Sequence, residues 1–167
     1  GACRERAREF AERRLKPRAQ QFIQARCIDR EVWIEAGKQG LLGLEVPEGY
    51  GGSEARDFRF NAVLAEELSK FNAAASSCFG IHTDCVAPYL VDLGTQEQKQ
   101  RWLPGFCSGE IITAIAMTEP SGGSALAALK STAVRHGEDW VLTGSKTFRT
   151  KGQQAAPAVA AARTPPP

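Results

Sequence analysis

A change of pattern near residue 110 limits the fold more than any other feature. Before it, apolar residues recur at helical spacing; after it, short runs of β-branched residues take over. In "DFRFNAVLAEELSKF", Phe60, Val63, Leu64, Leu68 and Phe71 fall on one side of a 3.6-residue period, which predicts an amphipathic helix. "NAAASSCFGIHTDCVAPYLVDLG" is small or apolar on most sides and predicts a central helix enclosed by neighbours. Thr95 and Gln98 have capping-box spacing before "KQRWL", and Pro104-Gly105 is expected to stop that helix. Asp29 is placed to cap "REVWIEAGKQ", Gly40 to end it, and Pro17 to kink or restart the charged first helix. Downstream, "IITAIAMT" is a short β-branched run, and "STAVRHGEDWVLTGSKTF" reads as two strands joined at "HGED". Helices first and strands afterwards specify an α+β class: an all-α N-terminal domain followed by a β domain, not alternating βαβ units.

Charge and cysteine usage narrow the function classes. A net charge of +2 is too even for binding to a nucleic-acid backbone. The N-terminal stretch "RERAREFAERRLKPR" interleaves its signs, with Glu9 and Arg13 four apart, and reads as a solvated helix face laced with ion pairs. No apolar run is long enough to span a bilayer, and no hydrophobic signal core opens the sequence. The acidic residues among those arginines argue against an organelle transit peptide. Residue 1 is Gly and not Met, so either the start has been processed or the sequence begins within a longer protein. Five scattered cysteines without a C-x-x-C pair suit reduced thiols in a cytosol-like compartment, and a bacterial cytoplasm is preferred over a mitochondrial matrix.

Three constellations could carry chemistry. Cys78, His82 and Cys85, at i, i+4 and i+7, share a helix face as zinc ligands can. That face continues through Phe71, Ala75 and Tyr89 and offers no fourth ligand, so a core stripe is the better reading. A Cys or Ser nucleophile could pair with His82 or His136, but no G-x-S-x-G elbow is present and His136 sits beside Gly137 at an expected exposed turn. The third is "AMTEPSGGSALAALKS". Thr118, Ser121 and Ser124 supply hydroxyls there, and Gly122 and Gly123 permit positive φ and close approach of main-chain N–H groups. Such a loop suits a carbonyl-rich ring edge or a pyrophosphate without the G-x-G-x-x-G spacing of a Rossmann site; the same residues also make an ordinary interdomain turn.

With these residues in view, the sequence resembles the acyl-CoA dehydrogenase family of flavoenzymes. The likeness runs from "VWIEAGKQGLLGLEVPEGYGG" through "FGIH" and "LGTQEQKQRWLP" to "AMTEP" and "GSKTFRT". It implies a helical N-terminal domain over residues 1–110 and the beginning of an antiparallel β domain over 111–152, with the family's C-terminal helical bundle missing. It implies FAD as cofactor, an acyl-CoA substrate undergoing α,β-dehydrogenation, an electron-transfer flavoprotein as acceptor, and a homo-oligomer, dimer or tetramer, in the complete enzyme. Residue by residue, Ile115, Met117 and Thr118 match positions along the isoalloxazine, contacting it through main chain and the Thr118 hydroxyl. Ser124 matches a serine near the pyrophosphate and the bound acyl-CoA, Phe148 the aromatic residue packed on the ring, and Thr150 a hydroxyl near its reactive nitrogen. On its own pattern Phe148 reads as a core aromatic on a strand. The family's catalytic carboxylate belongs to the C-terminal domain, so the resemblance assigns this chain no catalytic residue and no metal, and implies a partial, inactive dehydrogenase. The alternative is a non-catalytic helical module that pairs with a full-length subunit. Ala125, Arg149 and Lys151 depart from the family pattern, and the Ala- and Pro-rich segment 153–167 is expected to fray.

Overall fold

The computed structural model describes residues 1–165. Helix α1 (Ala2–Phe10) leads into a π-type turn, Ala11–Leu15, and a 3₁₀ turn, Lys16–Arg18, before α2 (Ala19–Ala25). The restart falls at Pro17, which has no N–H to continue the ladder. One side of this arginine-rich stretch is the expected laced surface, with Glu9–Arg13 at 2.9 Å and Glu12–Lys16 at 2.8 Å. Arg4 and Arg8 instead turn onto α4 (Arg59–Phe71), where they and Lys70 surround the buried Glu67 carboxylate. Lys70 first, then Arg4 and Arg8, hold that carboxyl down at about 2.

On α4, Leu64 and Leu68 are buried as the periodicity predicts, but Phe60 is 41% exposed. The buried stripe shifts to include Asn61 and Glu67, because α1 docks through ion pairs on that side. Helix α3 (Arg30–Lys38) starts after Asp29, yet the Asp29 side chain does not cap it. Its carboxylate accepts from Arg18 at 3.3 Å and Gln21 at 3.0 Å, so charged and amide donors of the preceding segment outcompete the helix N–H groups. Helix α5 (Ala73–Gly80) is capped by Asn72, which accepts from the N–H groups of Ala74 and Ala75. It continues through π-type turns Ile81–Val86 and Tyr89–Leu93, so the predicted helical element is present, but it is not enclosed on most sides: Cys85 and Tyr89 are exposed and Leu93 is 75% exposed.

Helix α6 (Gln96–Ser108) opens with the expected capping box and then runs straight through Pro104, contrary to the sequence expectation. Burial of Leu103, Phe106 and Cys107 on one face outweighs the single N–H that proline removes. The helix ends instead at Gly109, with φ +80, where an added Cβ would lie 2.1 Å from the Trp33 carbonyl oxygen. Trp33 is fully buried and stacks on Phe79 at 4.5 Å between centroids, with the Phe10 ring edge-on to Phe79 at 5.7 Å.

The β region contains two pairs. Strands β2 (Thr132–His136) and β3 (Asp139–Thr143) form the predicted antiparallel hairpin, turning at Gly137. Strand β1 (Ala114–Ala116) pairs in parallel with β4 (Ala158–Ala160), in the segment expected to fray. Pro157 does not prevent this, because it precedes the strand and contributes its carbonyl, accepting from Ala114 N–H at 3.3 Å. Arg163 extends the contact by exchanging main-chain bonds with Ser131 and Ala133, each 2.8 Å. Pro166 and Pro167, also part of the segment expected to fray, lie outside the described residues. Among the described residues, no helix is long and apolar enough to cross a membrane.

Candidate functional site

The small-residue loop after β1 and the "KTFRT" segment lie side by side. Thr147 donates its main-chain N–H to the Thr118 carbonyl at 2.9 Å, and the Lys146 ammonium donates to the Met117 carbonyl at 3.1 Å. Glu119 holds the junction. Buried at 5% exposure, its carboxylate accepts from the N–H groups of Lys130 (2.7 Å) and Ser131 (2.9 Å) and from the Lys146 ammonium (2.9 Å). Ser131 first, then the Lys130 N–H and Lys146, keep this carboxyl well below the usual carboxylate range. Glu119 and Gly122 also exchange both main-chain hydrogen bonds at 3.0 Å, closing a tight turn. Neither Gly122 nor Gly123 takes a positive φ. Close packing does not require them either: a Cβ on Gly123 would rest 3.6 Å from the Thr118 methyl, an ordinary contact, and one on Gly122 would meet nothing within 4 Å.

The sequence-predicted residues are placed unequally. Ile115 lies in β1 opposite Val159, half-buried against the cluster of Val46, Val86, Leu90, Leu103 and Phe106. Met117 and Thr118 are half-buried, and among the described residues their main-chain N–H groups have no hydrogen-bond partner. Ser124 sits on the fully exposed stretch 120–128. Phe148 is neither a core aromatic nor on a strand: it is 92% exposed and held at φ +53, a left-handed conformation costly for a bulky residue. Thr150 is half-buried on the wall of a cavity of about 790 Å³, together with Trp33, Cys78, Lys146, Arg149 and Lys151. The Arg149 guanidinium donates to the Gly152 carbonyl at 2.7 Å.

His82, the candidate ligand or base, is fully buried under the Phe106 ring at 3.7 Å. Its Nε2–H donates to the Phe106 carbonyl at 3.2 Å, and its Nδ1 accepts from the Thr113 N–H at 3.3 Å and faces the Thr113 hydroxyl at 2.8 Å. Both ring nitrogens are thus engaged in the core, and burial lowers the imidazole pKa to about 3. His136 is exposed at the end of the hairpin. The Glu119–Lys146 pair and the Lys151 side chain were not singled out as site residues from sequence. A lone Glu in "TEP" and a Lys in "GSK" carry no local pattern that announces a partner far along the chain.

A family model described as "Acyl-CoA dehydrogenase, N-terminal domain" matches residues 1–110, and "Acyl-CoA dehydrogenase, middle domain" matches residues 114–167. The chain belongs to the acyl-CoA dehydrogenase family. Mouse long-chain specific acyl-CoA dehydrogenase, a mitochondrial protein, is 42% identical over 149 residues, covering 89% of this chain and 34% of that protein. An acyl-CoA dehydrogenase crystal structure from Geobacillus kaustophilus is 42% identical, with a TM-score of 0.89, over 95% of this chain and 41% of that one. A glutaryl-CoA dehydrogenase from Mycobacterium smegmatis, in complex with FADH2, is 29% identical with a TM-score of 0.90, over 98% of this chain and 42% of that one. This member of the family therefore spans about a third of the length of the mouse dehydrogenase it matches. The parallel β1–β4 pair lies within the segment matched by the middle-domain model, and Ala158–Ala160 is its strand on the C-terminal side.

Proposed function

We propose that this chain forms the helical wall and the flavin-facing edge of an FAD-dependent acyl-CoA dehydrogenase, which removes hydrogen from Cα and Cβ of an acyl-CoA thioester. The observation that carries the reading is the Thr147–Thr118 hydrogen bond, which sets the two flavin-type segments against each other. The chemistry of the donor set fits a flavin. Unpartnered N–H groups of Met117 and Thr118 match the carbonyl-bearing edge of its ring, and the exposed Phe148 matches its apolar face.

In this reading Ile115 and Met117 line the ring through main chain, Thr118 and Thr150 bond it through hydroxyls, and Phe148 covers it. Ser124 sits toward the pyrophosphate and the acyl-CoA. FAD, when bound, supplies the hydride acceptor. Glu119 does not supply the base: three donors occupy its carboxylate, and a group held so far below its ordinary pKa is a poor proton acceptor near neutral pH. The base belongs to the C-terminal helical domain characteristic of the family. The complete enzyme is a homo-oligomer, dimer or tetramer, and passes its electrons to an electron-transfer flavoprotein. Five free cysteines support a cytoplasmic setting.

Quenching of FAD fluorescence by the purified chain tests the reading. The double variant Thr118→Ala/Thr150→Ala weakens binding about fivefold or more, since a hydrogen bond contributes on the order of 1 kcal/mol, and the chain alone forms no enoyl-CoA. Equal FAD affinity in the double variant, or turnover by this chain alone, overturns it.

A further inference from the structure

The Lys151 side chain reaches back from the flavin-type segment onto the helical domain. Its ammonium donates to the Cys78 carbonyl at 2.7 Å and stands 4.9 Å from the centre of the Trp33 ring. Among the described residues no carboxylate pairs with it, unlike Lys146, which is spent on Glu119. The Cys78 and Cys85 thiols and the neutral His82 feel its charge. Lys151 also lines the cavity of about 790 Å³, whose wall carries Arg26, Lys146 and Arg149 as well and no acidic side chain. Such a cavity collects anionic ligands and offers them an amine held at its wall.

We propose that Lys151 is an acyl-acceptor site: its amine takes the acyl group of a CoA thioester drawn into this basic cavity. The neutral Nζ attacks the thioester carbonyl carbon, an N–C bond forms, and the C–S bond breaks. The coenzyme A thiolate leaves and receives the proton that the amine gives up, so the products are an amide on Lys151 and free coenzyme A. Two features favour this lysine over the others. Burial lowers its pKa from 10.5 to about 8, so a useful fraction is neutral near physiological pH. The contacts to Cys78 and Trp33 hold the nitrogen in one place. The choice of a CoA thioester as donor rests on the function proposed above; the acceptor chemistry rests on the cavity and on the contacts that hold the amine at its wall.

The test is incubation of the purified chain with butyryl-CoA, and separately with the butyryl thioester of N-acetylcysteamine, which lacks the nucleotide. Peptide mass spectrometry follows the mass gain at each lysine between pH 7 and 9. Lys151 is expected to be butyrylated about tenfold faster than the exposed Lys38 at pH 7, because burial leaves a share of its amine neutral and the basic cavity gathers the thioester beside it. The Lys151→Arg variant, which keeps the cation over Trp33, loses that product while retaining its circular-dichroism spectrum. Preference for Lys151 with the truncated thioester but none with butyryl-CoA overturns the CoA thioester as donor in this cavity, whereas the function proposed above fails separately, by the FAD-binding result. Labelling that follows surface exposure in both arms, with Lys151 no faster than Lys38, overturns the inference.

Discussion

Thr147 donates its N–H to the Thr118 carbonyl at 2.9 Å, and from that bond the candidate site is organised. The loop after β1 and the segment leading to Thr150 become neighbours, with the Lys146 ammonium bridging Met117 and Glu119 beneath them. Both segments are otherwise short of regular structure, so their geometry depends on a few polar contacts.

Glu119 is the group whose loss loosens this junction. Glu119→Gln surrenders the charge that Lys146 needs and leaves one acceptor oxygen in place of two. Its melting temperature falls, and amide exchange accelerates over residues 117–131 and 146–150 while the α1–α4 amides stay protected. Because the folded carboxyl titrates below its unfolded value of 4.5, its stabilisation is present above about pH 4.5 and is lost as pH falls below it. The variant lacks that acid sensitivity, which urea denaturation at several pH values measures.

A second acid sensitivity comes from His82. Its folded pKa of about 3 lies below the unfolded 6.5, so the unfolded chain binds the extra proton between those values. Native stability therefore declines as pH drops from 6.5 toward 3, approaching about 1.4 kcal/mol per pH unit from this residue. His82→Gln flattens the dependence over that window, at the cost of lower stability near pH 7.

Lys151 gives the opposite end of the pH scale. Its folded value of about 8 is below the unfolded 10.5, so the native state gains stability as pH rises across that interval. Against Lys151→Met, the wild-type chain should improve steadily from pH 8 to 10.5 in paired denaturation curves. A constant difference between the two would show that the ammonium is not shielded from water.

Gly109→Ala tests the approach of α6 to α3. A methyl there combines a left-handed φ of +80 with a 2.1 Å encounter with the Trp33 carbonyl oxygen. We expect a loss of at least about 2 kcal/mol in chemical denaturation. By contrast Thr95→Ala, which removes only a cap, costs about 1 kcal/mol.

What could be read from the sequence follows the distance over which each contact acts. The Thr95–Gln98 capping box and the hairpin turn at Gly137 were legible because every partner lies within a few residues. Asp29 misled for the reverse reason: its cap position was recognisable, but the competing donors Arg18 and Gln21 reach it from the preceding helical segment. Pro104 and Phe60 were misjudged because tertiary burial, decided by residues elsewhere, overruled a local rule. Strand β4 was missed since three residues of Ala-Val-Ala have little strand character until β1 offers them a ladder. The two segments to which the resemblance pointed lie side by side, yet the pair that joins them, Glu119 and Lys146, stands 27 residues apart and leaves no spacing to notice.

The most direct measurement is a two-dimensional NMR titration of the isotope-labelled chain with FAD at concentrations up to about 1 mM, where even the weak end of ligand affinities is visible. The amides of residues 115–124 and 148–150 should shift together and saturate along one binding curve, with α1 and α4 unchanged. Shifts confined to the helices, or none along those two segments at saturating FAD, would contradict the assignment of this edge to a flavin.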